Sequence, residues 1–199
     1  LGEIKILQNY ANLFGIIAAF GLNTAILKFC AENREEQEKE FILRFSVMSS
    51  LVTTLVALLL LATLALTGVI ISSQYLAFWL LIYAITIPFS TLTGFFMVYL
   101  QALKKINEMA KAQAIIRVQF FIVIVVSTWL WGFKGFIFAT IFAYFAGLIP
   151  LLRQVGLNFL VAVRGKVPVG FANIVVFSAL GGGVSALSQY GDIFILDHF

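Results

Sequence analysis

Amide and hydroxyl side chains recur at helical spacing inside an apolar stretch near the start of the chain. Gln8, Asn12, Gly15, Ala19 and Asn23 are separated by three or four residues, so they fall on one face of a helix. A polar group in hydrocarbon needs a partner, and small residues let helices approach closely. The stripe therefore predicts a face that is turned away from lipid, either towards another helix or towards a polar pathway.

A second stripe of the same kind lies near the end of the chain. It consists of Ser178, Gly181, Ser185, Gln189 and Asp192. For each residue, packing between helices is favoured over contact with a substrate. Asp192 is the strongest single candidate because an ionisable group in a membrane is costly and usually faces a cavity or a partner. Its position near the end of the stretch also allows it to be wetted at the outer interface.

Arg117 is a basic residue within another apolar stretch. Its guanidinium group could project into a helix bundle and meet an anionic phosphate, or it could snorkel to the cytoplasmic face, which is the favoured interpretation. The candidates for substrate contact are Gln8, Asn12, Asn23, Arg117, Gln189 and Asp192.

Motifs for catalysis or for metal binding are missing from the sequence. There is no HExxH, no GxSxG, no glycine-rich phosphate loop and no cysteine and histidine spacing suited to a metal. The single cysteine, Cys30, is interpreted as an apolar filler, and the three glycines at 181–183 as a site of helix packing. We expect a protein that is not an enzyme and that has no cofactor and no catalytic or metal site.

The elements that must position these side chains are membrane helices. Of the 199 residues, 62% are hydrophobic and 11% are charged, and the mean hydropathy is +1.05, values that a soluble core of this size could not accommodate. The predicted fold is an all-α, polytopic helix bundle in a lipid bilayer, and nucleic-acid binding is discounted. The six predicted spans are 7–27, 43–68, 74–100, 113–131, 135–152 and 170–196.

Basic residues indicate the orientation of these spans, because Lys and Arg accumulate in short cytoplasmic loops. Lys5 and Lys134 fall on one side of the membrane. The other side holds the remaining eleven of the 13 basic residues: Lys28, Arg34, Lys39, Arg44, Lys104, Lys105, Lys111, Arg117, Arg153, Arg164 and Lys166. We therefore expect the loops 28–44, 101–111 and 153–168 to lie in the cytoplasm, in a cell (inner or plasma) membrane.

Two local features modify this scheme. The segment 101–113 alternates apolar and basic residues at helical spacing, which predicts either a short interfacial helix or a solvated loop with snorkelling lysines. Pro88 interrupts helical hydrogen bonding, so a kink is expected near 84–88.

The stretch GLNTAILKF at 21–29, preceded by an amphipathic run, resembles the end of the second helix of the polysaccharide biosynthesis flippases of the Wzx, or O-antigen transporter, type. The loop 101–111 and the basic loop before the span 170–196 are also similar to that family. The resemblance implies two helix bundles around a central cavity. In this scheme 1–153 is the remainder of the first bundle, 154–169 is a cytoplasmic loop between the bundles, and 170–199 begins the second bundle, with the chain covering about the N-terminal half of a family member.

The same resemblance implies a function. A flippase of this type moves a polyprenyl-diphosphate-linked glycan, the precursor of a polysaccharide, from the cytoplasmic to the outer leaflet. The alternatives are a multidrug or cation antiporter of the same superfamily and a membrane-bound glycosyltransferase or polymerase. The oligomeric state remains open.

Overall fold

The chain is described by a computed structural model over residues 2–71, 73–156 and 165–196, and these ranges are helical apart from short connections. Within them, the side chains of Leu187, of 189–190 and of 191–196 are outside the description. The helices are α1 (Gly2–Ala19), α2 (Leu22–Ala31), α3 (Glu36–Leu66), α4 (Gln74–Tyr83), α5 (Thr86–Ala102), α6 (Ile106–Val155) and α7 (Phe171–Leu196).

Several of these helices have the length and composition of membrane spans. Glu36–Leu66, Gln74–Ala102 and Ile106–Val155 qualify singly, with mean hydropathies of 2.3, 1.7 and 2.1, and the α1 and α2 pair qualifies if it is counted as one bent span. The described apolar part of α7, Phe171–Ala186, is shorter. These helices confirm the predicted all-α membrane bundle.

Helix α6 contains two spans because it folds back on itself at Gly132. That residue has φ 57° and ψ −135°, a conformation open to glycine and strained for other residues. The rings of Phe120 and Tyr144 have centroids 4.8 Å apart although the residues are 24 positions apart, which would be roughly 36 Å in a straight helix. The arms 106–131 and 133–155 are therefore antiparallel neighbours, as the predicted spans 113–131 and 135–152 required.

Helix α3 shows how the bundle separates its interior from lipid. Most of its buried positions from 46 onwards carry small or hydroxyl side chains at helical spacing, namely Ser46, Ser50, Thr54, Ala57 and Ala65. On the opposite face, Met48, Leu51, Val52 and Leu55 are exposed. Small side chains allow close approach to α1, where Thr53 donates a 2.6 Å hydrogen bond to the carbonyl of Ala18. The large apolar residues face outward because lipid solvates them.

Two helical breaks lie within the predicted spans. The first is at Phe20 and Gly21, which have φ of 40° and 70°, and it bends α2 by 49° away from the direction of α1. The second separates α4 from α5 at 84–85, next to the expected kink at Pro88. Around the second break the Thr86 hydroxyl donates to the carbonyl of Tyr83, and the Thr91 hydroxyl donates to the carbonyl of Ile87, both at 2.8 Å.

The segment 101–113 is neither a separate interfacial helix nor a long loop. Helix α5 continues to Ala102, a tight turn follows in which Lys104 has φ 57°, and α6 begins at Ile106. The alternation of apolar and basic residues in this segment reflects the first turns of a membrane helix, with its lysines exposed near the helix end.

Candidate functional site

Helix α7 lies antiparallel to α1 and α2 and contacts both of them. The rings of Phe29 and Phe171 are 5.7 Å apart between centroids, at one end of this contact. At the other end, a Cβ atom built on Gly182 would lie 3.6 Å from Cγ2 of Ile16. We call this contact the seam.

The seam is tightest at Gly21, the residue at the break between α1 and α2. A Cβ atom at this position would lie 2.4 Å from the carbonyl oxygen of Val175 and 2.7 Å from the amide nitrogen of Ala179. The backbone of α7 therefore occupies the space that any other side chain would need. Gly21 also has a positive φ, which glycine adopts without strain.

One flank of the seam is apolar. A small groove of about 190 Å³ runs between the two helices on this side. Its lining contains no charged or amide side chain and consists of Ile16, Ile17, Phe20, Val176, Ala179, Leu180 and Gly183.

The opposite flank carries the two polar stripes. Successive residues of an α-helix are rotated by about 100° around its axis. The side of the helix on which a residue lies can therefore be calculated from its sequence distance to the residue at the contact. Relative to Ile16 on α1 and Gly182 on α7, the groove residues lie on one flank and both stripes lie on the other. Since the helices are antiparallel, the two stripes are side by side. We call Gln8, Asn12, Gly15, Ser178, Gly181 and Ser185 the polar face.

Most of the polar face is open. Asn12 and Ser185 are exposed, and a Cβ atom added at Gly15 or Gly181 would have no neighbour within 4 Å. The face is therefore turned away from the helices that the structure describes, except at Gln8 and at Ser178, whose hydroxyl oxygen lies 2.6 Å from that of Thr24. Uncharged polar groups and small residues on such a surface leave room for a bulky ligand with many hydroxyl groups.

Gln8 forms the inner edge of the polar face. It is half-buried and lies close enough to interact with the Tyr83 hydroxyl, which Thr140 also approaches from the second arm of α6. Tyr144 lies near the same hydroxyl. Tyr83, Thr140 and Tyr144 were not among the predicted candidates, because they belong to apolar stretches without a polar stripe of their own.

Asn23 departs from the stripe on which its spacing placed it. The bend after α1 turns it towards α5, where a Cβ atom on Gly94 would lie 3.7 Å from its Oδ1. That oxygen is buried and has no hydrogen-bond partner within the described residues. Asn23 therefore lies behind the polar face, between α2 and α5, rather than on it.

The structure does not bring Arg117 together with the other candidates. Arg117 is exposed on the first arm of α6, where Val118 and Phe121 are exposed beside it. The side chains of Gln189 and Asp192 lie outside the described residues, although their backbone belongs to α7. Four candidates can thus be placed, and of these only Gln8 and Asn12 share a surface.

Two further expectations concern the glycines and metal ions. Of the three glycines at 181–183, Gly182 packs against Ile16 of α1, whereas a Cβ added at Gly181 or Gly183 would have no neighbour within 4 Å. Within the ranges that the structure describes, no group of three His, Cys, Asp or Glu side chains could hold a metal ion.

Comparison with known proteins decides the family. The family model described as polysaccharide biosynthesis protein matches residues 1–192, nearly the whole chain. The chain belongs to the polysaccharide biosynthesis protein family. No curated protein and no solved structure matches it. Membership confirms the resemblance carried by residues 21–29 and, with the apolar helices, identifies a multi-pass membrane protein of a transporter type in polysaccharide biosynthesis.

Proposed function

We propose that this member of the polysaccharide biosynthesis protein family is a flippase, not an enzyme, that moves lipid-linked oligosaccharide or polysaccharide precursors from the cytoplasmic to the outer leaflet. The observation that supports this most directly is the open polar face along α1 and α7. Side chains such as Asn12 and Ser185 are exposed there although they lie in membrane helices. Lipid would not solvate such a face, so it requires water, another part of the protein or a polar substrate.

The proposed division of the chain gives this face its place. If 1–153 belongs to the first bundle, 154–169 to a cytoplasmic connection and 170–199 to the second bundle, then the seam is a boundary between bundles. Cavities for substrates commonly lie at such boundaries. The polar face would then form part of the cavity wall, and Gln189 and Asp192 would extend it along α7.

The chemistry of the face suits the glycan part of the substrate. Amides and hydroxyls can exchange hydrogen bonds with sugar hydroxyls, and each such bond contributes modestly, so that the ligand can be released on the other side. Glycines at 15 and 181 leave space for sugar rings. The polyprenyl chain would remain in lipid, which solvates it as well as the apolar residues of the bundle do.

The remaining candidates have separate proposed roles. Arg117 would attract the diphosphate from the basic, cytoplasmic side, and the unpartnered amide oxygen of Asn23 would accept a hydrogen bond when α5 or α2 shifts. If replacing Arg117 and Asn23 together by Ala left glycan export at the wild-type rate, these two roles would be wrong while the proposal for the polar face would stand.

Complementation tests the function itself. The gene would be expressed in a bacterial strain that lacks its own polysaccharide flippase, and surface polysaccharide would be scored on a gel. Restored polymer supports translocation of a lipid-linked glycan. If membrane-inserted protein gives no polymer with any of several glycan systems and instead confers drug or cation efflux, the flippase proposal is wrong and the antiporter alternative replaces it.

A matched pair of variants connects that activity with the polar face. Gly181→Leu places a large apolar side chain on the face, and Gly183→Leu places the same side chain on the groove flank two residues away. Neither position has an atom within 4 Å of an added Cβ, so both variants can fold. We expect Gly181→Leu to reduce export at least fivefold, because the leucine fills space proposed for sugar rings and covers neighbouring hydroxyl and amide groups. Gly183→Leu should export like the wild type; equal effects of both variants would contradict the role of the face.

A further inference from the structure

A second and larger groove lies on the outside of the bundle, between the two arms of α6. Its volume is about 550 Å³, within the range of small-molecule sites, which is roughly 300–1,000 Å³. Phe138 and Phe142 form one wall and are each 56% exposed, so this side of α6 faces lipid. The groove is lined mainly by Val123, Ser127, Trp131, Lys134, Phe138 and Phe142.

The groove has a polar mouth and an apolar interior. The mouth is at the Gly132 turn, where the arms approach so closely that a Cβ on Gly135 would lie 2.0 Å from the carbonyl oxygen of Ser127. Ser127 and Lys134 therefore lie together at this end, while Val123 and Phe142 lie deeper. From Lys134 to Phe142 the helix rises by about 12 Å, most of the roughly 15 Å hydrocarbon depth of one leaflet.

Aromatic side chains mark the mouth as the level of the lipid head groups. Trp129, Trp131 and Tyr75 are 83%, 67% and 52% exposed, and the rings of Tyr75 and Phe133 lie 6.3 Å apart between centroids. Exposed Trp and Tyr side chains are typical of the interface between membrane and water. A lipid in the groove would thus have its head group beside Lys134 and an acyl chain along Phe138 and Phe142.

Lys134 supplies the charge that would select the head group. Its Nζ atom lies 5.9 Å from the centroid of the Trp79 ring, a contact that holds the amine at the mouth and leaves its N–H groups able to bind oxygen. Within the described part of the chain, the ion pairs involve Arg34 and Arg44 at the other end of the bundle, so no described carboxylate pairs with Lys134.

We infer that the groove between the arms of α6 binds an anionic phospholipid, with its phosphate on Lys134 and one acyl chain between Val123 and Phe142. The site is separate from the polar face and does not depend on the proposed flippase activity. A zwitterionic lipid can fill the same groove, but its positive head group is disfavoured beside the amine. One interfacial cation favours an anionic lipid by about fivefold in binding constant.

Fluorescence quenching in vesicles tests this site. Trp79 and Trp129, which do not line the groove, would both be replaced by Phe, so that Trp131 in its lining is the single tryptophan left among the 199 residues and reports contact. Phosphatidylglycerol or phosphatidylcholine with brominated acyl chains would then be titrated against unlabelled phosphatidylcholine. We expect phosphatidylglycerol to quench with an apparent binding constant about fivefold higher. Equal constants for the two lipids would overturn the proposal.

Variants separate the charge from the groove. Lys134→Gln should bring the two constants to within about 1.5-fold of each other, while Lys134→Arg should preserve the preference because it keeps the charge. Lys5→Gln is the control, since Lys5 is exposed on α1 and does not line the groove. Val123→Phe should reduce quenching by both lipids by filling the groove. Unchanged selectivity in Lys134→Gln, or unchanged quenching in Val123→Phe, would contradict the proposed site.

Discussion

Thr24 and Ser178 share a hydrogen bond across the seam, with their hydroxyl oxygens 2.6 Å apart. The two residues belong to α2 and α7, which are separated by more than 130 residues along the chain. Their contact, one turn from the close approach at Gly21, fixes α7 against the bend between α1 and α2. Alternating access at the polar face would require this contact to break and re-form.

A cysteine pair at these two positions tests that requirement. In a Cys30→Ser background, Thr24→Cys with Ser178→Cys should form a disulfide on mild oxidation, because the side-chain atoms are already within bonding reach. Free-thiol labelling measures the disulfide, and polysaccharide export measures its effect. We expect export to fall to background on oxidation and to recover after reduction.

The control for the cysteine pair is Thr24→Cys with Ser185→Cys. Ser185 is almost two turns, about 10 Å, farther along α7, so this pair should remain reduced and active. Full export by the oxidised, cross-linked Thr24 and Ser178 pair would show that the seam does not need to open.

Substitution of Gly21 by Ala should destabilise the bundle more than the same change at Gly68. Both glycines have φ near 70°, so both substitutions incur a backbone cost of about 1 kcal/mol. Gly21→Ala also drives its Cβ into the backbone of α7, and overpacking of this kind costs about 1–3 kcal/mol more. Thermal unfolding in detergent measures the difference; equal losses at the two positions would mean that α7 does not pack against Gly21.

The hairpin of α6 provides a second pair of glycines. At Gly135 an added Cβ would lie 2.0 Å from the carbonyl oxygen of Ser127, whereas at Gly147 it would make ordinary contact, 3.5 Å, with Ile116. We expect Gly135→Ala to lower the yield of folded protein and its unfolding temperature. Gly147→Ala should be neutral or stabilising by up to about 1 kcal/mol, because Ala has the higher helix propensity. Size-exclusion profiles and unfolding curves give the comparison, and a tolerated Gly135→Ala would argue against the tight turn.

The contact of Gln8 with Tyr83 should contribute to stability as a pair. Gln8→Leu and Tyr83→Phe each remove one polar partner, and a double-mutant cycle isolates their interaction. Polar contacts between membrane helices contribute about 0.6 kcal/mol on average and up to about 1.7 kcal/mol. We expect a coupling free energy in this range from reversible unfolding in detergent. A coupling free energy of zero would mean that Gln8 does not interact with Tyr83 and contributes to the polar face only.

Much of the fold could be predicted from hydropathy. The predicted spans 113–131 and 135–152 correspond to the arms of α6, and the kink expected near Pro88 lies beside the break between α4 and α5. These features depend on local properties, namely the length of an apolar run, a proline without an N–H group, and a glycine flanked by aromatic residues.

The arrangement at the seam could not be predicted in the same way. A straight-helix count placed Asn23 on the stripe of Asn12, but the break at Phe20 and Gly21 turns it towards Gly94. The sequence allows this break, because Gly21 can adopt a positive φ. The need for glycine at this position arises from the backbone of α7, which lies against Gly21 and is distant in the sequence. Equally, the spacing of Ser178 and Ser185 predicted a stripe without indicating that it would lie beside the stripe of α1.

The single-residue turn at Gly132 also constrains how the protein is made. Because no loop separates the arms of α6, we expect the two arms to insert into the bilayer together, as a helical hairpin. If the basic loops lie in the cytoplasm as the distribution of Lys and Arg predicts, Lys134 would cross the bilayer together with this hairpin during biogenesis. An insertion at this turn would be expected to interfere with assembly before it affected transport.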